Sequence, residues 1–271
     1  MKTYIIPLMA LSLVLTSCIN NNTKKGKNDR KKYSVNVRKE NIVEKTIDGE
    51  IDEIKVSTSI DAEIFKADSE KIVISAPSDI MQFVQVENIA GKVRIYIKSN
   101  FGKNISTKYV KAKFYVKDFS RLVTESSGNI EIVDEFIQDK VDVNVFSSGN
   151  ITATNLEAKD LKISVNSSGN FNGKILATNL VANVYSSGNI IINGNAENAT
   201  IKSTSSGNVK ARELLIENAN LLATSSGDIT VFVTKSLGAR ATSSGLVTVY
   251  TNGMLDQSIV KKNSSGNVFI K

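Results

Sequence analysis

The 271-residue chain has no histidine, no tryptophan, one cysteine and two prolines. Without imidazole, His-ligated metals are excluded, and so is the usual base beside a serine or cysteine nucleophile. A single thiol cannot close an internal disulfide, so the core must hold by burial and hydrogen bonding alone. Long hydrophobic runs are missing as well. The one apolar stretch, Ile5 to Leu15, is interrupted by Pro7 and Ser12, and it falls well short of the ~20 residues a spanning helix needs. What remains is ordinary for a folded protein: 41% apolar residues, enough to bury a core.

The apolar stretch follows Met1-Lys2-Thr3 and runs into Leu15-Thr16-Ser17-Cys18, the layout of a secretory signal. Those last four residues resemble the bacterial lipobox, whose cysteine is lipidated and becomes the first residue of the mature chain. On this reading residues 1–17 are the signal peptide, Cys18 is a membrane anchor, and no thiol is left for catalysis. Residues 18–33 then form a basic tether. Of the formal charge of +7, Lys2 carries one and the tether a net five, which leaves +1 for residues 33–271. A nearly neutral body offers no general support for nucleic-acid binding. The tether reads either as a solvated linker or as a segment drawn to anionic headgroups.

Ser-Ser-Gly recurs eight times, beginning at Ser126, Ser147, Ser167, Ser186, Ser205, Ser225, Ser243 and Ser264, at intervals of 18 to 21 residues. A period near twenty is the signature of a solenoid. Residues flanking each copy alternate with the period of a strand. Two places after the glycine stand Ile130, Ile151, Phe171, Ile190, Val209, Ile229, Val247 and Val268. Four places before the first serine stand Leu122, Val143, Ile163, Ala182, Ile201, Leu221, Ala239 and Val260. Each set predicts one vertical column in a stack of parallel coils. The irregular middle of each coil, with Ile137, Leu156, Leu176 and Ile216, is expected to supply a third inward face. The expected fold is all-β, a right-handed parallel β-helix of about 20 residues per coil, its hand set by the rule for parallel crossovers. At each corner the glycine is expected to take the positive φ, and the Ser and Asn side chains to form ladders between coils.

Residues 34–125 lack the motif but alternate in the same way, as in Val93-Arg94-Ile95-Tyr96-Ile97. They are expected to be irregular opening coils and a cap, continuous with the repeat coils of 126–271 in one domain spanning 34–271. The strand Val56-Ser57-Thr58-Ser59-Ile60-Asp61-Ala62-Glu63-Ile64 and the Gly-Asn-Ile corners at 128–130, 149–151 and 188–190 resemble the GIN-domain family, DUF2807, the putative auto-transporter adhesin head domain. The likeness extends over roughly residues 46–270. It implies a pectin-lyase-like β-helix on exported bacterial proteins, a role in adhesion, and no catalytic residues to carry over.

The residues themselves point the same way. A polysaccharide-cleaving β-helix needs several carboxylates converging on bound Ca²⁺, yet Asp228 is the one acid in the Asn column, and Glu125 the one in the column before the serines. That last column holds Phe146 and Tyr185 two coils apart, ~10 Å, about one disaccharide. Phe146 and Tyr185, with Asn150, Asn170 and Asn189 of the corners, are therefore the candidate surface-binding residues, for a glycan or an envelope or host protein. No catalytic residue, cofactor or metal is expected. The chain is expected to be exported and lipid-anchored, to the outer membrane, on a side of it that the sequence leaves open. The final copy stops early in a strand, an open edge guarded by Lys261, Lys262 and Lys271.

Overall fold

A computed structural model describes residues 41–98 and 105–271; the signal, Cys18, and the tether fall outside them. Among the described residues the chain forms a parallel β-solenoid of about eight turns, ~20 residues each. Six long strands make its body: β9 (Asn129–Val145), β10 (Asn150–Val165), β11 (Asn170–Val184), β12 (Asn189–Thr204), β13 (Asn208–Thr224) and β14 (Asp228–Thr242). Each is nearly a whole coil, and each pairs in parallel with the next. The register places Asn129, Asn150, Asn170, Asn189, Asn208 and Asp228 in one column. Above β14 the coil thins: β15 (Leu246–Tyr250) and β16 (Gln257–Asn263) pair with its two ends, and β17 (Asn267–Ile270) pairs with β15.

The columns expected from the repeat are the core. From Ile130 to Val268, every residue two places after a corner glycine is buried. The column from Leu122 to Ala239 is buried too, whereas Val260 is 38% exposed, since among the described residues its strand is stacked on β14 alone. The middle face divides differently from the expectation. Leu156 and Ile216 are buried, but Ile137 and Leu176 point outward, 62% and 40% exposed. Alternation within each strand explains this: Phe136 and Ile175 keep the inward parity of Ile132 and Gly173, which leaves Ile137 and Leu176 outward, whereas β10 advances three residues from Ala153 to Leu156 and so brings Leu156 into their inward row.

The corners also work differently from the expectation. None of the Ser-Ser-Gly glycines has a positive φ; the first serine takes it in every copy, from 51° at Ser225 to 66° at Ser186. Each serine pair forms the centre of a β-turn, closed in six copies by the glycine N–H donating to the carbonyl three residues earlier, as from Gly149 to Phe146 at 3.3 Å. Serine thus occupies the position that such turns usually assign to glycine. The glycine is needed for space. A Cβ on Gly169 would lie 2.5 Å from Val145 Cγ1, and one on Gly188 equally close to Val165 Cγ1. The inward Val of one coil reaches under the glycine of the next.

The opening segment is a stack that does not follow chain order. Strands β2 (Glu53–Val56) and β3 (Asp61–Lys66) form a coil beneath β8 (Arg121–Thr124) and β9. The next coil outward is made by β6 (Lys92–Ile97) and β7 (Lys111–Val116). Antiparallel strands close this end: β1 (Ile42–Asp48) on β4 (Lys71–Pro77), β4 on β7, and β5 (Val84–Ile89) on β6, with the short helix α1 (Ser78–Met81) between β4 and β5. Between β2 and β3 lies a corner with a different spelling. Thr58 and Ser59 both have positive φ, Ile60 is fully buried, and Asp61 stands directly below Asn129.

Candidate binding face

Phe146 and Tyr185 share one outward column. Their N–H groups donate to Thr124 and Val165 at 3.0 and 2.9 Å, and Asn166 occupies the coil between them. They are 36% and 38% exposed. The three asparagines lie across the Ser-Ser-Gly corner from these rings and are engaged with one another. Each Nδ2 donates to the Oδ1 one coil below: Asn150 to Asn129 at 2.9 Å, Asn170 to Asn150 and Asn189 to Asn170 at 2.8 Å. Asn129 ends the ladder on the Asp61 carboxylate at 2.8 Å. The serines bond between coils through their backbones, as from Ser168 N–H to the Ser147 carbonyl at 3.0 Å.

The structure adds cations beside the rings that the reading of single columns missed. Phe146 borders a groove of about 420 Å³ together with Lys55, Lys92, Arg94 and Arg121. Lys55 is paired with Glu125 at 2.7 Å and Lys92 with Glu53 at 2.5 Å. Partial burial pushes the Glu125 carboxyl up, but the Lys55 ammonium, the Ser57 hydroxyl and the charge of Arg94 outweigh it and hold it below the usual range. Arg121 is exposed and makes no ion pair among the described residues. Its column continues through Asp142 to Lys162, also exposed. Next to Tyr185, Lys202 Nζ lies 6.0 Å from the ring centre. The signal for these residues is in the sequence: Arg121, Asp142 and Lys162 each stand five places before a Ser-Ser-Gly.

A larger groove, about 770 Å³, runs along the middle face. Its floor carries the outward Ile137 and Leu176 with Leu215, 49% exposed, and its walls carry Asp139, Glu157, Glu197 and Glu217 against a single lysine, Lys159, with Glu217 paired to Lys235 outside the groove lining. Charge is therefore sorted by face, basic beside the aromatics and acidic along the middle. Among the described residues no three Asp, Glu, His or Cys side chains come together to hold a metal ion, and no helix is long and apolar enough to cross a membrane.

Comparison with known proteins follows this geometry. The DUF2807 family, described as "Putative auto-transporter adhesin, head GIN domain", matches residues 50–253. A structure from Parabacteroides distasonis described as a "putative lipid binding protein" is 25% identical; the match covers 86% of this chain and 98% of that one, with a TM-score of 0.77. A "putative adhesin" from Parabacteroides merdae is 18% identical over 86% of this chain and 97% of its own, with a TM-score of 0.75. Another from Bacteroides fragilis is 17% identical over 86% and 98%, with a TM-score of 0.62. None of these descriptions names an enzyme. No curated protein is significantly similar to the chain.

Proposed function

The chain belongs to this DUF2807 family of adhesin heads, and from that premise we propose that it is an exported, lipid-anchored binding module that acts in adhesion by presenting the side of its solenoid. The observation that carries this reading is the outward column holding Phe146 and Tyr185. Large rings left in water on a rigid sheet, beside cations, are how a protein holds a partner across an extended surface. The stacked coils supply the rigidity, since each is bonded along its length to its neighbours. The lipobox-like Leu15-Thr16-Ser17-Cys18 supports the anchor, and the apolar run before it supports export.

A periplasmic scaffold for other envelope proteins is the second reading. It is favoured by Ile19-Asn20-Asn21-Asn22-Thr23, a stretch without the acidic cluster that some bacteria place after the lipidated cysteine to direct export to the surface. One experiment separates the two. A protease site is inserted at Gly253, whose surroundings are open, in intact cells with a periplasmic protein as lysis control. Cleavage without lysis is expected for the adhesive module, and protection until the outer membrane is broken overturns it in favour of the scaffold. In the same cells Cys18→Ala is expected to move the protein from the membrane to the soluble fraction; if it stays in the membrane, the anchor is wrong.

A further inference from the structure

Resting on the reading of the solenoid side as a binding surface, we propose that its ligand is an acidic polysaccharide carrying one carboxylate per disaccharide, laid along the stack axis over Phe146 and Tyr185. Parallel coils advance ~4.8 Å, so the two rings stand ~10 Å apart, the advance of one disaccharide in an extended chain. The cations repeat with the same step. Arg121 lies on the coil below Phe146 and Lys162 on the coil below Tyr185, in a column that runs parallel to the rings and four residues back along the strands, roughly 13 Å at the backbone. Arg121 lines one groove with Phe146. Rings and cations thus form two parallel columns that repeat together at two-coil spacing, within reach of one polymer and its carboxylates. A pyranose packs its C–H face on the ring, and the uronate of the neighbouring sugar pairs with the cation.

The rung between the two cations explains why the acid should alternate. Asp142 lies between Arg121 and Lys162 in the column and accepts from the Asn144 amide at 2.9 Å. It repels a carboxylate placed there, so a chain with an acid on every sugar meets one clash per disaccharide, whereas an alternating chain meets none. The acids of the Phe146 groove, Glu53 and Glu125, are already paired with Lys92 and Lys55, which leaves Arg121 for the ligand. A body charge of only +1 outside the signal and tether makes recognition depend on this spacing more than on bulk attraction.

The test is calorimetric titration of the full-length chain with a hyaluronan decasaccharide in 0.15 M salt. Comparison ligands are its methyl ester, polygalacturonate, and phosphatidylglycerol vesicles. Hyaluronan is expected to bind, and esterification to weaken it by about tenfold or more. Phe146→Ala with Tyr185→Ala, and separately Arg121→Gln with Lys162→Gln, are expected to do the same, while Lys159→Gln on the acidic face changes nothing. Asp142→Asn is expected to improve polygalacturonate selectively. All these positions are on the surface, and circular dichroism confirms the fold of each variant. Failure of hyaluronan to bind, equal binding of the ester, or indifference to loss of the rings overturns the proposal. Vesicle binding that needs the cations and not the rings overturns it in favour of a lipid surface. If hyaluronan fails while cells bearing the protein still adhere, the ligand assignment falls and the binding module stands; if adhesion is also absent, both fall.

Discussion

Ser167 and Gly169 divide the work of a corner in an unexpected way. The serine carries the left-handed backbone, φ 62°, at a cost of about 1–2 kcal/mol, while the glycine keeps ordinary φ and provides room. Ser167→Gly is expected to change stability by less than about 1 kcal/mol, because relief of φ is offset by extra freedom in the unfolded chain. Gly169→Ala drives a methyl onto Val145 and is expected to cost about 1–3 kcal/mol by overpacking. Urea melts of the two variants decide between this division and the reverse. Thr124 offers a gain at the same scale. It is fully buried at the place Val145, Val165 and Val184 hold in later coils, and its hydroxyl has no partner. Ser203, in the same column, donates to the Gly207 carbonyl at 2.6 Å. Thr124→Val is expected to stabilise by about 1–2 kcal/mol, since it removes an unsatisfied polar atom at constant shape; a lower thermal midpoint would contradict it.

Two asparagine ladders tie the strands together from outside. The first runs from Asp61 through the corner asparagines. The second starts at Asp160 and climbs through Asn179, Asn198 and Asn218, at 2.8, 3.3 and 3.1 Å, to the Ser236 hydroxyl, which donates to Asn218 at 2.7 Å. An interior rung makes two such bonds and a terminal one fewer. Asn170→Ala removes the bond to Asn150 and the one received from Asn189, and it is expected to cost about 1–2 kcal/mol. Asn267→Ala loses only a 3.4 Å bond to Ser265 within its own coil and is expected to be nearly silent. Equal effects in denaturant melts would mean that the ladder carries no stability. The second ladder was visible in the sequence only as scattered asparagines, because the middle of each coil varies in length and hides their common column.

The stack as a whole should behave as a series of neighbour contacts. Deletion of residues 189–207 joins Gly188 to Asn208, removes one coil together with Gly194 at φ 111°, and puts Val209 above Phe171 and Leu214 above Ile175. The shortened protein is expected to fold, with a urea m-value lower by roughly one coil in eight. Aggregation instead of a cooperative transition would show that the coils are not interchangeable. Charge is also a property of the whole stack. A body of +1 looks inert in composition, yet winding sends Arg121, Lys162 and Lys202 to one face and Asp139, Glu197 and Glu217 to another.

The repeat alone determined the solenoid, its coil length and most of its core. A parallel stack forces equivalent residues into vertical columns, and period-two alternation around a fixed corner names them. From Ile130 to Val268 and from Leu122 to Ala239, the columns read from Ser-Ser-Gly spacing are the ones buried. Phe146 and Tyr185 could be placed outward on the same ground. Tertiary structure decided what depends on contacts between coils. It gave the corner glycines their reason, since Val145 under Gly169 is invisible until coils are stacked. It turned Leu156 inward while Ile137 and Leu176 stayed outward, because an extra residue after Ala153 reverses the side chains beyond it in that strand alone. It spelled a hidden corner as Thr58-Ser59-Ile60-Asp61, and threaded β2 and β3 between coils that come later in the chain. It also brought Arg121 and Phe146 into one groove, because a groove is made by neighbours in space and no single column contains it.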